Sequence, residues 1–551
     1  MDERKAQEMI RDAVRGSLTW LDELPSREKE ILEKTEKEDH PLMITYNSAE
    51  GTLTGPAYRP SRKRNSSRWL KPALACCAAL VLAAGIWAGT RSGVLFSQGT
   101  PLDAVSQPDG TAEPEQEILP AAMVPRETQK DGVQPLDRID ITVDPDLLWN
   151  EENGLFTEGE NIYKSQMLPF RNAVYRYACD RGVSGEGELV YRSESGVELL
   201  RDRISLRLSD LDDYALDMPQ KSLQADAMDG AFAYPLFDDR SALSYPSILL
   251  RNSGSDCMWT RVADGVQNRM IEKYTDTHVL TLAWRPVHVY LNGEYWGIYN
   301  MRESLDGHTV CRYEQVPDEL AGDVTLLYIQ GGAIQGSSAE YKALRKEMKS
   351  RDPANNPEDL AYLEQEVDID SFLDWLAAEM YFGNSDIGTG MVYRVPGGKW
   401  KCLVRDLDYG LYMSSYDSPH SYLKEEGMGG GRGIDNTFFR KILEVDRYRD
   451  LFLTKLGNVY KALPTEVMQA ELDECVAWIE PGMKDHLERW APYNDRKIIA
   501  EVPVDPVQAW NYWEKRIARM KNTMEKRPGC LYEMVQDAFG LTDAEMAHYF
   551  E

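Results

Sequence analysis

The sequence predicts an α+β body in which a strand-rich half is followed by a helix-rich half, with a cleft between them. Three observations carry this. From Leu136 to Arg302, short apolar runs alternate with turn residues, opening with DRIDITVDPDLLW. Within that region RPVHVYLNGEYWGIYNMRE sets two β-rich runs around Asn292-Gly293, a strong hairpin signal. From Ser338 onward the apolar period becomes helical, predicting helices around 339–350, 358–366, 369–382, 436–462, 465–491 and 507–527.

At 551 residues the chain exceeds one ordinary core. Its net charge of −29 argues against nucleic acid, whose phosphates would be repelled. The first 71 residues are nearly neutral, so the negative charge belongs to residues 72–551. That remainder mixes its acids with patterned apolar stretches and is foldable. The eight cysteines form no CxxC pair and no Cys/His cluster at zinc spacing, so isolated buried thiols are expected rather than disulfides.

Four segments are expected in order. Residues 1–70 read as a charged helical segment, with Ile10, Val14 and Leu18 at spacing four, that could dock a cytoplasmic partner. Residues 71–91 read as a single transmembrane helix, because Pro72 to Gly89 holds 18 residues without a charge between Trp69 and Arg91. Arg59, Arg62, Lys63, Arg64, Arg68 and Lys71 precede it, and the positive-inside rule then places the N-terminus in the cytoplasm and the large part outside. Residues 92–135, with five prolines between Pro101 and Pro125, read as an acidic tether. Residues 136–551 are the folded body.

Asp368 to Tyr412 concentrates the chemistry. Phe372, Leu373, Leu376, Ala377 and Met380 give a buried helix face, and a glycine-rich loop comes next with Asp386. A hairpin turning at Pro396-Gly397-Gly398 then ends in Asp406-Leu407-Asp408, whose two acids would share one face of a strand. Three convergent carboxylates suit a hard cation and a phosphate ester.

The order of landmarks resembles the spore-coat protein H (CotH) kinase family, atypical protein kinases with a two-lobed kinase-like fold. The resemblance spans most of residues 137–551. It is carried by Pro219-Gln220-Lys221-Ser222, by Leu250-Arg251-Asn252 with Asp256 and Arg261, and by Tyr290 through Tyr299 followed by Glu303. Asn384-Ser385-Asp386 and Asp406-Leu407-Asp408 complete it. The resemblance implies transfer of the ATP γ-phosphoryl to Ser or Thr of a protein, with Mg²⁺ or Mn²⁺, and Ca²⁺ as a further candidate cation. Lys221 would meet the nucleotide phosphates in an ion pair with Glu303, with Asn252 and Arg261 also at the cofactor. Asp386 would serve the acceptor hydroxyl, and Asp406, Asp408 and Thr389 the metal. Read from the residues alone, Lys221 is a solvated strand end, Glu303 a member of a surface ion pair, and Asp386 either turn chemistry or a site acid.

Three departures from the family pattern bear on this. Ser209 to Leu216 carries three aspartates and neither the glycine nor the arginine expected before the lysine motif. Thr389 stands near the place of an expected Asn, and Arg405 replaces an aromatic residue before the Asp-x-Asp. The alternative function is a catalytically inactive pseudokinase, an extracytoplasmic scaffold or metal- or ligand-binding domain.

Overall fold

A computed structural model describes residues 136–157, 183–209, 220–425, 427–428, 434–496 and 502–551, together with four three-residue strands. The chain divides into two compact units, Met1–Gln116 and Glu117–Glu551. In the first, the described residues are Thr45–Asn47 and Thr52–Thr54, paired antiparallel. The expected membrane helix, the tether and the aspartate-rich stretch after Ser209 lie outside the described residues. Among the described residues no helix is long and apolar enough to cross a membrane.

The second unit has the expected mixed architecture, strands first and helices after. Seven strands close into a barrel: β1 Arg138–Val143, β2 Ser184–Arg192, β3 Glu198–Leu208, β4 Leu223–Ala227, β5 Ser247–Arg251, β6 Trp284–Leu291 and β7 Glu294–Glu303. Their order around the barrel is β6-β7-β5-β4-β3-β2-β1, closed by a parallel pairing of β1 with β6. Closure leaves no free sheet edge. The β6–β7 hairpin turns at Asn292 and Gly293, both left-handed (φ 50° and 81°), as a two-residue turn of matching twist requires. Ile139, Ile204, Leu206, Leu250 and Tyr299 belong to the core that fills this half.

A small antiparallel sheet comes next, β8 Thr325–Tyr328, β9 Ala333–Gln335, β10 Met391–Arg394 and β11 Lys401–Leu403. The helices, in chain order, are α1 Pro145–Trp149, α2 Ala263–Tyr274, α3 Gly307–Glu314, α4 Ala339–Met348, α5 Pro357–Glu366 and α6 Ile369–Phe382. After these come α7 Ser418–Leu423, α8 Thr437–Leu443, α9 Asp446–Ala462, α10 Thr465–Trp490, α11 Pro506–Phe539 and α12 Asp543–Phe550. Helix α6 is the hub of the helical half, with every residue from Ser371 to Phe382 buried.

Two helix boundaries differ from expectation. The segment 436–462 breaks into α8 and α9 at Glu444 and Val445. Helix α11 runs to Phe539 through Pro528 rather than stopping at 527. Proline leaves the carbonyl four residues back without its helical donor. Here that carbonyl belongs to Met524, and the Thr465 hydroxyl donates to it at 3.4 Å. Of the described cysteines, Cys257, Cys311, Cys402 and Cys475 are buried, Cys530 is half-buried, and all five are free thiols.

Arg527 fixes α11 to the end of α6. Its guanidinium is fully buried and donates to the carbonyls of Met380, Tyr381, Ser414 and Tyr416 at 2.7–3.1 Å, and to the Ser418 hydroxyl. Removing it strands several buried acceptors, each costing on the order of 1–3 kcal/mol. Arg527→Met is therefore expected to lower unfolding free energy by about 3 kcal/mol or more. Chemical denaturation measures this, and a loss within about 0.5 kcal/mol, the size of an ordinary surface change, would contradict it.

Candidate functional site

The site is assembled where β5, β7 and α2 meet the loops after α6 and β11. Beyond β11 the chain does not continue as a strand. Asp406 adopts the left-handed conformation (φ 61°, ψ 58°), and Leu407–Tyr409 forms a single 3-10 turn. Asp tolerates this backbone better than most residues. The expected shared strand face of Asp406 and Asp408 is thus absent; the two acids converge in another way, on Arg251.

Arg251 ends β5, a strand of five buried residues. Its Nη2 donates to Asp406 Oδ1 at 2.6 Å and to Asp408 Oδ2 at 3.2 Å, and its Nη1 to Asp408 Oδ1 at 3.0 Å. Nη1 also reaches Asp264 Oδ2 on α2 at 3.4 Å. Arg302 of β7 pairs with the same Asp264, whose Oδ1 accepts the backbone N–H of Leu407 at 2.9 Å. Asp408 Oδ2 further accepts the N–H of Ser255 at 2.7 Å. Gly254 (φ 59°) makes room, since a Cβ there would collide with Arg251 and Asp408.

Three aspartates thus share two arginines in a nearly dry volume. Burial pushes the Arg302 guanidinium down to about 9, with Arg251 adding repulsion. Burial also works to raise both acids of the pair, but Arg251 and Arg405 hold Asp406 below the usual carboxylate range. Asp408 is driven well above it by burial and by Asp406, against the pull of Arg251.

Helix α6 delivers the second arm. Gly383 ends it in a left-handed turn (φ 64°). Asn384 is next, with no exposed surface. Its carboxamide accepts from the Asp386 N–H at 3.0 Å and donates to the Asp406 carbonyl at 3.4 Å. The loop carrying Asp386 is therefore tied to the loop carrying Asp406. Asp386 begins a 3-10 turn, Ile387–Thr389, in which the Thr389 hydroxyl donates to the Asp386 carbonyl at 2.9 Å.

The other expected site residues fall differently. Lys221 is buried (7 % exposed), not a solvated strand end, and its carbonyl accepts from the Tyr299 hydroxyl at 2.8 Å. Glu303 is buried as well, and its carboxylate is held by Arg240 at 2.9 Å, Arg312 at 2.6 Å and the Ala283 N–H at 2.9 Å. The strand register sets Glu303 opposite Ile248 and Ile248 opposite Ala225. That is four residues beyond Lys221, roughly 13 Å along a strand. The expected Lys221–Glu303 ion pair is not formed.

Asn252 and Arg261 do not line the cleft. Asn252 bonds to Ser222, Gly254 and the Gln220 carbonyl, while Arg261 binds the carbonyls of Cys257 and Ile298. Both stitch backbone together. The cleft is lined by the apolar Leu249, Leu282 and Leu305 and by the charged Arg251, Asp264, Arg302, Arg405 and Asp406.

Sequence reasoning named Arg251 only within the Leu250-Arg251-Asn252 motif, without a site role, and missed Arg302, Asp264 and Glu379. The signal available was an arginine inside SILLR, since a charge buried in a strand demands partners. Glu379 gave none. It lies on α6 with no exposed surface, neither carboxylate oxygen has a well-formed hydrogen bond, and the neighbouring Asn384 amide is the group that eases its charge. Burial raises it from 4.5 to about 8, with Asp406 and Asp386 adding repulsion.

The family described as CotH kinase protein matches residues 203–531, more than half of the chain. The chain belongs to that family. In this CotH family member the match begins within β3 and ends within α11, so it takes in every residue of the site above. No curated protein matches the chain.

The buried groups make two outcomes measurable. Unfolded, Glu379 releases its proton near 4.5; folded, it keeps it to about 8. A raised acid favours the folded state at low pH, and that contribution is lost as pH rises from about 4.5 to 8. Glu379→Gln should therefore gain melting temperature relative to the parent between pH 5 and pH 9; a pH-independent difference would contradict the assignment. Gly254→Ala should lose about 2 kcal/mol or more in denaturant unfolding, from left-handed strain plus overpacking. A neutral substitution there would show that the Arg251 pocket is looser than described.

Proposed function

We propose that the chain is a membrane-anchored, kinase-like enzyme that transfers the γ-phosphoryl of ATP to Ser or Thr of a protein. The observation that carries this reading is the Asn384 bridge, which holds the loops of Asp386 and Asp406 together beside a cleft lined by leucines and arginines. Family membership supports a kinase-like chemistry with nucleotide and divalent metal. Phosphoryl transfer asks for positioning and charge neutralisation more than for covalent help.

The residues divide the work. The leucines of the cleft would take the apolar face of the base, and Arg405, Arg302 and Lys221 would supply positive charge for phosphate. Asp386 would orient the acceptor hydroxyl and accept its proton. Among the described residues no cluster of three or more acidic, His or Cys side chains has metal-holding geometry. Asp406 and Asp408 nonetheless fit Mg²⁺, which takes one or two carboxylates and completes its shell with water and phosphate oxygen. When bound, the cation supplies neutralisation of the developing phosphate charge. Thr389, with its hydroxyl donating to Asp386, keeps lone pairs for the same shell.

Labelling from γ-labelled ATP with Mg²⁺ or Mn²⁺ is the test, using the full chain beside Asp386→Ala and Asp406→Ala. The parent should label a Ser/Thr protein acceptor, and each variant should fall by about a hundredfold or more, the scale of a lost general base or metal ligand. Equal labelling in all three, or none in the parent, rejects the enzyme and leaves a binding domain. The topology belongs to the same proposal: protease added to intact cells should cut within residues 92–134. Complete protection would put the body on the cytoplasmic side.

A further inference from the structure

We propose that Arg251 is a resident counter-cation that closes the Asp406–Asp408 pair against divalent metal, and that phosphate entering the cleft releases it. This rests on the reading of the cleft as a phosphate-ester site. The guanidinium spans both carboxylates, meeting Asp406 Oδ1 at 2.6 Å and Asp408 Oδ1 and Oδ2 at 3.0 and 3.2 Å. A small dication seeks the same oxygens, at about 2.0–2.1 Å for Mg²⁺. On Asp406 Oδ1 and both Asp408 oxygens it would compete with a cation already in hydrogen-bond contact.

The charge balance points the same way. Arg251 and Arg302, with Arg405 close enough to act on Asp406, are set against Asp264, Asp406 and Asp408. Adding a dication while these arginines stay would leave an excess of positive charge in a buried volume. One arginine must therefore move. Arg302 is held by Asp264 and by the Leu282 carbonyl at 3.1 Å, within the barrel wall. Arg251 stands at the end of β5, beside Gly254, and lines the cleft with Arg405. A phosphate offers a guanidinium the same forked acceptor geometry as a carboxylate. Passing Arg251 from the aspartates to a phosphate would clear the acids for metal and neutralise the incoming anion in one exchange. Metal and phosphate should then bind with positive coupling, and the coupling must be reciprocal.

The experiment is a Mn²⁺ titration of the full chain followed by electron paramagnetic resonance, with no turnover required. The parent alone should bind Mn²⁺ weakly. Arg251→Met should bind it about tenfold or more tightly, a coupling of ordinary size, and adding Asp406→Asn to it should remove the gain. Arg251→Lys, which keeps a charge but cannot span both acids, should fall between parent and Met, and it decides the matter if the Met variant does not fold. Affinity in the folded variants equal to or below the parent's overturns the proposal. A second arm repeats the titration at clamped free Mn²⁺ with ADP. ADP should raise the parent's affinity and leave Arg251→Met unchanged. If the variants gain without ADP while ADP does nothing to the parent, the closure by Arg251 stands, and its release by phosphate and the nucleotide reading both fail.

Discussion

The contact on which the site depends is the fork of Arg251 into Asp406 and Asp408. Arg251 belongs to the barrel, and the two aspartates belong to the chain leaving β11. A buried ion pair stabilises a fold weakly relative to an apolar replacement, but breaking one partner is costly because the other charge is left dry. The pair therefore fixes where the two halves sit across the cleft more than it adds net stability. It also explains why an Asp takes a left-handed backbone at 406 and why glycine stands at 254.

The helical half answers with rigidity. Helix α6 is buried along nearly its whole length, and Arg527 fastens its carbonyl end from α11. The segment that emerges, Gly383-Asn384-Ser385-Asp386, is thus launched from a fixed point. Asn384 then measures the separation between the Asp386 loop and the Asp406 loop by hydrogen bonds to both. Beneath it, Glu379 keeps its proton at neutral pH, so a further negative charge is withheld from a neighbourhood already rich in carboxylates.

The architecture was legible because its signals are local. The Asn292-Gly293 turn, the apolar repeat of Phe372 to Met380 and the change of period after Ser338 each act over a few residues. The site acids were legible as a set, and the motif order placed them in the CotH family. Partnership was not legible. Glu303 looked like a mate for Lys221, yet strand register sets it four residues away and gives it Arg240 and Arg312. Asn252 and Arg261 looked like ligand contacts and prove to hold backbone carbonyls and amides. Pairing across the barrel is decided by register and burial, neither of which a single sequence states. Pro528 misleads for the same reason, since its stranded carbonyl finds a donor on another helix.

A double-mutant cycle between Arg251 and Asp408 tests the central claim most directly. Unfolding free energies of the parent, Arg251→Met, Asp408→Asn and the double variant would be compared in urea. The account predicts that the two losses are far from additive, with a coupling of about 1–3 kcal/mol, as for partners in one buried network. Additivity within about 0.5 kcal/mol, the behaviour of independent sites, would show that Arg251 does not hold the pair.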